Sequence, residues 1–568
     1  MSVKTPWLKN YGDVRFNLEY PKVTISELVL SIADKYPDNT ALSFFGRNIK
    51  YSHFADMIHT VAKSFAAIGI KKGDCVTLCM PNVPQTVYSL YALNLIGAVV
   101  SVIHPLSSEE EIIYYLKETE SNVVVTLDLF YEKINNVKFR YKIDKLIVSS
   151  ISDEFSLLMS IGFKLTKGRK IQKPDFSDDV ISWNDFVKLS KQFSGEYQAE
   201  CDINETAVIL FSGGTTGVSK GVELTSYNFN CLAFQTVEMS HENICGKSML
   251  AAMPMFHGFG LGVCVHTMLS FGGCSILVPR FTPDEYVKLI KNNKPNFIAG
   301  VPTLFEAICS NKALDGVDLS FLKGVFSGGD TLPVDLKIKF DNFLKQHGSS
   351  TRIREGYGTT ECVTASCLTP YINEKEGSIG LPFPDTYYKI CELGTTQEAD
   401  YGQFGEICIA GPTVMKGYLN HPDDTSDTLE KHEDGFTWLR TGDLGCMDSD
   451  GYVYFKQRIK RMIITSGYNV YPSQIENILN DHDSVFMSCV IGVPDKYKIQ
   501  KVKAFIVLNS GYSADENTKN DIIEYCKKHI AKYAMPYDIE FRDSLPTTKV
   551  GKIAYGELEK EVLNSINN

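Results

Sequence analysis

The sequence lacks any apolar run of the length and continuity that a membrane-spanning helix requires. Two uncharged stretches, 87–103 and 257–279, are interrupted by polar residues or by glycines, whereas a spanning helix needs about 20 consecutive apolar residues. Residues 1–13 are polar, include Pro6 and lack the apolar segment of a signal peptide. We therefore expect a soluble, cytoplasmic protein.

The chain also lacks an excess of positive charge and any patterned cysteines. Its 57 Lys and Arg residues are outnumbered by 68 Asp and Glu residues, which gives a net charge of −11. Nucleic-acid binding needs a basic surface, so nucleic acid is not an expected partner. The 15 cysteines are scattered, with no CxxC pair, which favours buried thiols in a reducing compartment. We therefore expect the partners of this protein to be small molecules, and the protein to be a monomer or a homodimer.

Three kinds of pattern divide the 568 residues, a length that suggests three or four units of about 150 residues. Up to about residue 385, helices alternate with short β-branched strands, which is typical of parallel sheets covered by helices. Residues 386–456 contain short strands between Gly, Pro and Asp turns and predict a small distorted β-barrel. The region after Lys460 predicts a compact α+β unit with a helix over 517–533. The predicted fold class is α/β, with a large domain at 1–459 and a small domain at 460–568.

The segment 155–173 combines apolar residues with five Lys or Arg residues, an unusual stretch in an acidic chain. A basic, apolar stretch can rest on an anionic membrane surface. It can equally be an insertion folded against the body with a solvated basic face. Both interpretations stay open on the sequence, and peripheral membrane contact is one of the partners we consider.

The strongest chemical motif is the glycine-rich segment 212–221, SGGTTGVSKG, which follows the predicted strand 206–211. Glycines let a backbone approach a ligand closely, and hydroxyls and amides can donate to polyphosphate. The segment is not a Walker A loop, because Lys220 follows Ser219 and precedes Gly221. A flexible polar linker is the alternative.

Five further motifs carry groups suited to nucleotide chemistry. In 355–361, EGYGTTE, Tyr357 can offer an aromatic face to a base and Glu361 a hard oxygen ligand to Mg²⁺. In 438–443, WLRTGD, the carboxylate of Asp443 can accept ribose hydroxyls. The segments 458–461, 466–472 and 546–552 follow, the last ending in Lys552. Each motif alone also fits an ordinary turn or exposed loop.

Taken in this order and at these separations, the motifs resemble those of the adenylate-forming superfamily. That superfamily contains acyl-CoA synthetases, firefly luciferase and peptide-synthetase adenylation domains. The chain looks most like bacterial long-chain fatty acid–CoA ligases, because of the doubled glycine 213–214, the block 254–258 (PMFHG) and the basic insertion near residue 160. It departs from the usual pattern at Ser219, Thr359 and Gln457, none of which removes a charged group that the chemistry needs.

The resemblance implies a role for each motif residue. The catalytic residues would be Lys552, Glu361, Thr360 and His257, and Mg²⁺ would be held by Glu361 and Thr216. Lys460 would be the hinge of a mobile carboxyl-terminal domain. The CoA tunnel would be lined by Gly467 and Tyr468. ATP or AMP would be bound by Ser212, Gly213, Gly214, Thr215, Thr216, Gly217, Lys220, Gly328, Gly329, Asp330, Glu355, Gly356, Tyr357, Gly358, Thr359, Asp443 and Arg458.

By the same resemblance, the expected activity is the ATP-dependent formation of acyl-CoA, through an acyl-AMP and with release of pyrophosphate and then AMP. ATP, Mg²⁺ and CoA are the expected cofactors and cosubstrates, and a medium- or long-chain fatty acid is the expected acid. An aryl- or bile-acid–CoA ligase, or an acyl-AMP ligase that loads a carrier protein, is the alternative. A luciferase-like oxygenase and a non-catalytic relative are further readings; Glu361, Asp443, Arg458 and Lys552 together argue against the latter.

Overall fold

The computed structural model describes residues 3–155, 159, 171, 173–212, 219–465, 468–495, 497–548 and 553–567. Its helices, numbered in chain order, are α1 (Ile25–Lys35), α2 (Tyr51–Ala67), α3 (Pro84–Ile96), α4 (Glu109–Glu118), α5 (Tyr131–Lys138), α6 (Trp183–Leu189), α7 (Ser226–Ser240), α8 (Pro283–Asn293), α9 (Pro302–Cys309), α10 (Val334–Gln346), α11 (Pro422–Thr428), α12 (Pro472–Asn480), α13 (Glu516–His529) and α14 (Tyr555–Asn567). A π-helix spans Phe259–Thr267.

Capping residues in the sequence set where several helices begin. Thr24 and Glu27 form a reciprocal pair at the start of α1, in which each side chain accepts from the other residue's backbone N–H, at 3.2 and 2.7 Å. The pair Ser108 and Glu111 does the same at the start of α4. Such pairs satisfy amides that have no partner within the helix, so these boundaries follow directly from local sequence.

Eight of the described strands form sheet A, in the spatial order β19-β9-β8-β4-β3-β5-β6-β7. They are β3 (Cys75–Cys79), β4 (Val99–Val102), β5 (Val123–Leu127), β6 (Lys145–Ser149), β7 (Val180–Ser182), β8 (Thr206–Phe211), β9 (Gly221–Thr225) and β19 (Gly417–Tyr418). The six strands from β8 to β7 are parallel, and β9 and β19 extend one edge in antiparallel pairing.

Nine of the described strands form sheet B, in the order β16-β15-β14-β13-β12-β10-β11-β1-β2. They are β1 (Thr40–Phe44), β2 (Arg47–Lys50), β10 (Ser248–Ala251), β11 (Cys274–Leu277), β12 (Phe297–Gly300), β13 (Gly324–Ser327), β14 (Ile353–Tyr357), β15 (Cys367–Leu368) and β16 (Leu381–Pro382). Strands β1 and β2 form a hairpin around Gly46, and the other neighbour of β1 is β11, more than 200 residues later in the sequence.

The region after sheet B forms two smaller sheets. Sheet C is antiparallel and comprises β17 (Tyr387–Cys391), β18 (Gly405–Ala410), β20 (Leu429–Lys431), β21 (Thr437–Met447) and β22 (Val453–Arg458). Sheet D comprises β23 (Ile463–Thr465), β24 (Tyr468–Val470), β25 (Val485–Asp495), β26 (Ile499–Leu508) and β27 (Asp538–Phe541). The predicted α/β fold class, with parallel-rich sheets and a small carboxyl-terminal α+β unit, is confirmed, and the part predicted as a small distorted β-barrel forms the antiparallel sheet C.

Buried apolar side chains explain how these layers hold together. One large core joins helices α2 and α3 to both sheets A and B, whereas sheet D packs on its own cores with α12, α13 and α14. Helix α13 ends at His529, four residues before the predicted end. The next residue, Ile530, is extended and 9% exposed, so its burial in the sheet D core stops the helix.

No helix in the described part of the chain combines the length and the apolar character that crossing a membrane would require.

Candidate active site

The candidate site forms at the carboxyl ends of two neighbouring parallel strands of sheet B. Strands β13 and β14 pair in register, with Ser327 opposite Glu355. The segment 328–330 follows β13 and the segment 358–361 follows β14. Ligands of open α/β sheets bind outside the carboxyl ends of the strands. The structure therefore brings together two of the predicted nucleotide-binding segments.

Asp443 of sheet C connects to this edge through Tyr357. The Tyr357 hydroxyl donates to Asp443 Oδ2 at 2.6 Å, and Arg458 Nε lies 3.0 Å from Asp443 Oδ1. Arg458 also donates through Nη1 to the Thr441 carbonyl, at 3.1 Å. Burial, reinforced by the Asp443 charge, raises the pKa of Tyr357 well above its usual value, so the hydroxyl remains a donor at neutral pH. Three predicted site residues thus form one connected group.

Gly358 allows two backbone segments, at residues 358 and 364, to pack directly against each other next to this group. A Cβ at this position would lie 2.0 Å from the carbonyl oxygen of Thr364, far inside contact distance. We expect Gly358→Ala to lower the free energy of unfolding by about 1–3 kcal/mol, because the backbone must shift to relieve the overlap. Thermal unfolding of the purified protein measures this.

Gly356→Ala is the matched control for Gly358→Ala. The nearest atom to a Cβ at Gly356 is Leu368 Cδ1, at 3.7 Å, which is ordinary contact. Equal losses of stability in the two variants would contradict the steric explanation.

Glu355 occupies a buried position at the end of β14. It is 8% exposed, and its Oε1 accepts from the Leu332 backbone N–H at 3.0 Å. Burial raises its pKa from 4.5 to about 7. The folded state therefore binds this proton more tightly, and the resulting stabilisation is complete below about pH 4.5 and is lost as the pH rises through about 7.

We expect Glu355→Gln to stabilise the fold at pH 8 by up to about 3 kcal/mol and to have little effect at pH 4.5. The amide cannot ionise, so it avoids a buried charge only at the higher pH. Calorimetric unfolding at the two pH values tests this, with the exposed Glu376→Gln as control. A stability difference that does not change with pH would refute it.

Glu361 lies half-buried in a turn, Thr360–Cys362, directly after β14. Its Oε1 accepts from the Tyr418 hydroxyl at 2.8 Å, and its backbone carbonyl accepts from the Met415 N–H at 2.8 Å. Val363 closes the turn with φ +63° and ψ −58°, a strained conformation for a β-branched residue. An oriented carboxylate of this kind fits the hard oxygen ligand that Mg²⁺ prefers.

The predicted phosphate loop is described only at its two ends, since residues 213–218, and with them Gly213, Gly214, Thr215, Thr216 and Gly217, lie outside the described residues. The Ser212 N–H donates to the Lys220 carbonyl at 2.9 Å, and the Lys220 N–H donates to Ser212 Oγ at 3.3 Å. The loop is thus closed at the hairpin of β8 and β9. Lys220 Nζ forms an ion pair with Asp424.

His257 lies on the segment that enters the π-helix, and that segment contacts the Glu361 turn. A Cβ at the next residue, Gly258, would lie 1.7 Å from the carbonyl oxygen of Val363. His257 Nδ1 accepts from the Phe259 N–H at 3.3 Å. The π-helix, a rare backbone geometry, begins two residues later, at Phe259. The structure therefore brings the 254–258 block next to Glu361.

Three of the remaining predicted site residues lie in the described part of the chain, and all three are exposed. Asp330 is exposed and accepts from the Thr331 N–H at 2.9 Å. Lys460 is exposed in the turn Ile459–Arg461 between sheets C and D. Tyr468 is 57% exposed and stacks on Tyr533, with ring centroids 4.6 Å apart. Gly467 and Lys552 lie outside the described residues.

Sequence reasoning missed Tyr418 and Asp424, which contact the predicted residues Glu361 and Lys220. Tyr418 lies 57 residues from Glu361 and Asp424 lies about 200 residues from Lys220 along the chain. Neither belongs to the motifs at 212–221, 355–361 or 438–443, so those motifs do not identify them. Only the antiparallel pairing of β19 with β9 brings them to the site.

Comparison with known proteins defines the class of the chain. Residues 31–419 match the family described as AMP-binding enzyme, and residues 474–552 match the AMP-binding enzyme C-terminal domain. Among solved structures, the anthranilate CoA ligase AuaEII in complex with anthranoyl-AMP superposes with a TM-score of 0.82 over 98% of this chain and 100% of that chain, at 22% identity, which supports the fold.

The chain belongs to the AMP-binding enzyme family. A long-chain-fatty-acid–CoA ligase of Bacillus subtilis (strain 168) is 34% identical over 99% of both chains. A probable 4-coumarate–CoA ligase 3 of Dictyostelium discoideum is 30% identical over 98% of both. The chain is accordingly an AMP-forming acid–thiol ligase that uses ATP, Mg²⁺ and CoA, which confirms the class inferred from the motifs.

Proposed function

We propose that this protein joins a long-chain fatty acid to CoA in two steps, through an acyl-AMP intermediate. The observation that carries the proposal is the hydrogen-bonded group of Tyr357, Asp443 and Arg458 beside Glu361. This group occurs in a chain that aligns from end to end with long-chain-fatty-acid–CoA ligases.

In the first step, the fatty acid carboxylate attacks the α-phosphorus of ATP and pyrophosphate leaves. A carboxylic acid is ionised at neutral pH, so the attack needs no general base. The barrier is electrostatic, because the fatty acid carboxylate and the triphosphate of ATP are both negatively charged and repel each other. In our proposal the 212–220 loop binds the β- and γ-phosphates, Thr360 donates to the α-phosphate, and Lys552 places its ammonium group against the charge that develops there. Glu361 and Thr216 would hold Mg²⁺, which would supply further charge neutralisation when bound.

Asp443 and Arg458 hold the nucleotide during this step. The Asp443 carboxylate, 1% exposed, is oriented by Tyr357 and Arg458, and we propose that it accepts hydrogen bonds from the ribose hydroxyls when the nucleotide binds. Gly328, Gly329 and the Tyr357 segment surround the adenine, and His257 lies beside the acid carboxylate.

In the second step, the CoA thiol attacks the acyl carbonyl and AMP leaves. Lys552 serves only the first step, so we propose that the unit 460–568 rotates about Lys460 and withdraws it. Gly467 and Tyr468 then face the site and line the path of the thiol. The separate apolar cores of sheet D support rotation as a rigid unit, a gating motion of a common kind.

A panel of acids with ATP and CoA tests the proposal, with AMP, ADP and acyl-CoA quantified separately. We expect AMP and acyl-CoA in equal amounts, with the highest kcat/KM for acids of long alkyl chains. ADP as the product would contradict the mechanism.

An aryl acid is the second candidate substrate, favoured by the full-length similarity to a probable 4-coumarate–CoA ligase. The same panel decides between the two if it includes 4-coumarate and benzoate. An acyl-AMP that accumulates until a carrier protein is added would instead favour a carrier-loading ligase.

We also propose that the basic segment 155–173 contacts an anionic membrane surface from the cytoplasmic side. Most of this segment lies outside the described residues, so the argument is its sequence: Lys164, Lys167, Arg169, Lys170 and Lys173 beside apolar residues. Each basic residue near an anionic surface contributes about 1 kcal/mol.

Replacing these five residues with Gln should therefore weaken binding to vesicles containing phosphatidylserine by at least about tenfold. Sedimentation with vesicles measures it, and neutral phosphatidylcholine vesicles are the control. Unchanged binding would favour an insertion folded against the body.

A further inference from the structure

Side chains from three distant segments form a connected polar group between the phosphate loop and Glu361. The Tyr418 hydroxyl donates to Glu361 Oε1 at 2.8 Å. Lys220 Nζ lies 5.0 Å from the centroid of the Tyr418 ring and is ion-paired with Asp424. The Tyr418 ring therefore contacts the loop lysine while its hydroxyl contacts the predicted metal ligand.

The backbone around Tyr418 is fixed on both sides. Strand β19 pairs with β9, with Tyr418 opposite Val222, and the Leu419 N–H donates to the Gly221 carbonyl at 2.8 Å. The Tyr418 N–H donates to Thr425 Oγ1 at 2.9 Å, which ties the strand to α11. A side chain on so constrained a backbone can orient a carboxylate without a large loss of conformational entropy on ligand binding.

Asp424 has a second neighbour besides Lys220. His421 Nδ1 lies 3.6 Å from Asp424 Oδ2, whereas Lys220 is paired with Oδ1. The Asp424 side chain is 42% exposed, and ion pairs of this kind contribute little stability. Lys220 can therefore leave Asp424 readily, and Asp424 keeps a polar neighbour when it does.

We propose that Tyr418 is a positioning residue for Glu361, and that Asp424 holds Lys220 until nucleotide phosphates replace it. The inference rests on the proposed function, because it assigns Glu361 to Mg²⁺ and Lys220 to phosphate. ATP binding then exchanges one anionic partner of Lys220 for another, while Tyr418 keeps the Glu361 carboxylate at a constant orientation.

Tyr418→Phe tests the positioning role, since it keeps the ring and removes only the hydroxyl. We expect the Kd of Mn²⁺ in the presence of α,β-methylene-ATP, measured by electron paramagnetic resonance without turnover, to rise about tenfold. The Mg²⁺ concentration for half-maximal activity should rise in parallel, with the KM for the fatty acid and the unfolding temperature unchanged.

Tyr141→Phe is the matched control, because it removes a hydroxyl that donates to the Leu116 carbonyl at 3.1 Å, away from the site. An unchanged Mn²⁺ affinity in Tyr418→Phe would overturn the positioning role. A fall in unfolding temperature together with equal losses in every kinetic constant would also overturn it, because it would indicate a purely structural role.

Asp424→Asn tests the exchange of partners. Without the competing carboxylate, Lys220 is available to phosphate, so we expect the Kd of α,β-methylene-ATP, measured by calorimetry, to fall about threefold to tenfold. The neighbouring exposed Asp423→Asn is the control and should leave the Kd unchanged. A weaker affinity in Asp424→Asn would mean that Asp424 orients Lys220 for phosphate, and would refute the exchange.

The wild-type protein separates failure of this inference from failure of the proposed function. If the wild type forms no AMP from any acid with ATP and CoA, the proposed function fails and the inference with it. If the wild type is active and Tyr418→Phe and Asp424→Asn behave as their controls, the inference alone is wrong.

Discussion

Lys552→Ala is expected to reduce formation of acyl-AMP by at least about 100-fold while leaving the reaction of supplied acyl-AMP with CoA nearly unchanged. Removing a single preorganised charge stabiliser from a transition state typically lowers the rate by about 10²–10³. The second step needs no such cation, because acyl-AMP is already activated. Although Lys552 lies outside the described residues, its motif and its position in the chain support the prediction.

The two half-reactions are measured separately. Pyrophosphate release from ATP and fatty acid reports the first, and acyl-CoA formation from synthetic acyl-AMP reports the second. Lys549→Ala is the matched control, since it removes a lysine from the same segment, 546–552. Equal losses in both half-reactions would show that Lys552 is needed for the fold or for both steps, which contradicts a cation that acts once and withdraws.

Asp443→Asn should have the second largest effect, a decrease of about 100-fold in kcat/KM for ATP. The buried carboxylate pairs with Arg458 at 3.0 Å and accepts from Tyr357 at 2.6 Å. The Asn side chain keeps the shape of the Asp443 carboxylate but carries no charge. Arg458 therefore loses the negative charge of Asp443, and the ribose loses a charged hydrogen-bond acceptor. The Arg458 side chain is 45% exposed, and a hydrogen bond to a charged group contributes about 1.5–3 kcal/mol, enough for an effect of this size.

Steady-state kinetics with varied ATP, together with the Kd of AMP by calorimetry, measure the Asp443→Asn effect. Tyr357→Phe removes one hydrogen bond and no charge, so its loss should be nearer tenfold. Asp450→Asn is the control, because Asp450 also forms ion pairs, with Lys9 and Lys375, but in the turn between β21 and β22. An unchanged affinity for AMP in Asp443→Asn would remove Asp443 from the nucleotide site.

Local sequence is enough to specify the individual helices and strands and the chemical groups they carry. Alternating apolar patterns specify the strands and helices, capping pairs such as Thr24 and Glu27 fix where helices begin, and the motifs at 212–221, 355–361 and 438–443 contain the residues of the proposed nucleotide site. These features could be predicted because each depends on neighbours a few residues away.

Which distant elements come into contact depends on the assembled fold. It pairs the early hairpin β1–β2 with β11 of sheet B, and it joins Asp443 to Tyr357 across 86 residues. It also brings Tyr418 to Glu361 through the pairing of β19 with β9. Strand partners are chosen by the burial of whole sheet faces and by edge hydrogen bonds, which depend on the assembled core and leave no mark in a local stretch of sequence.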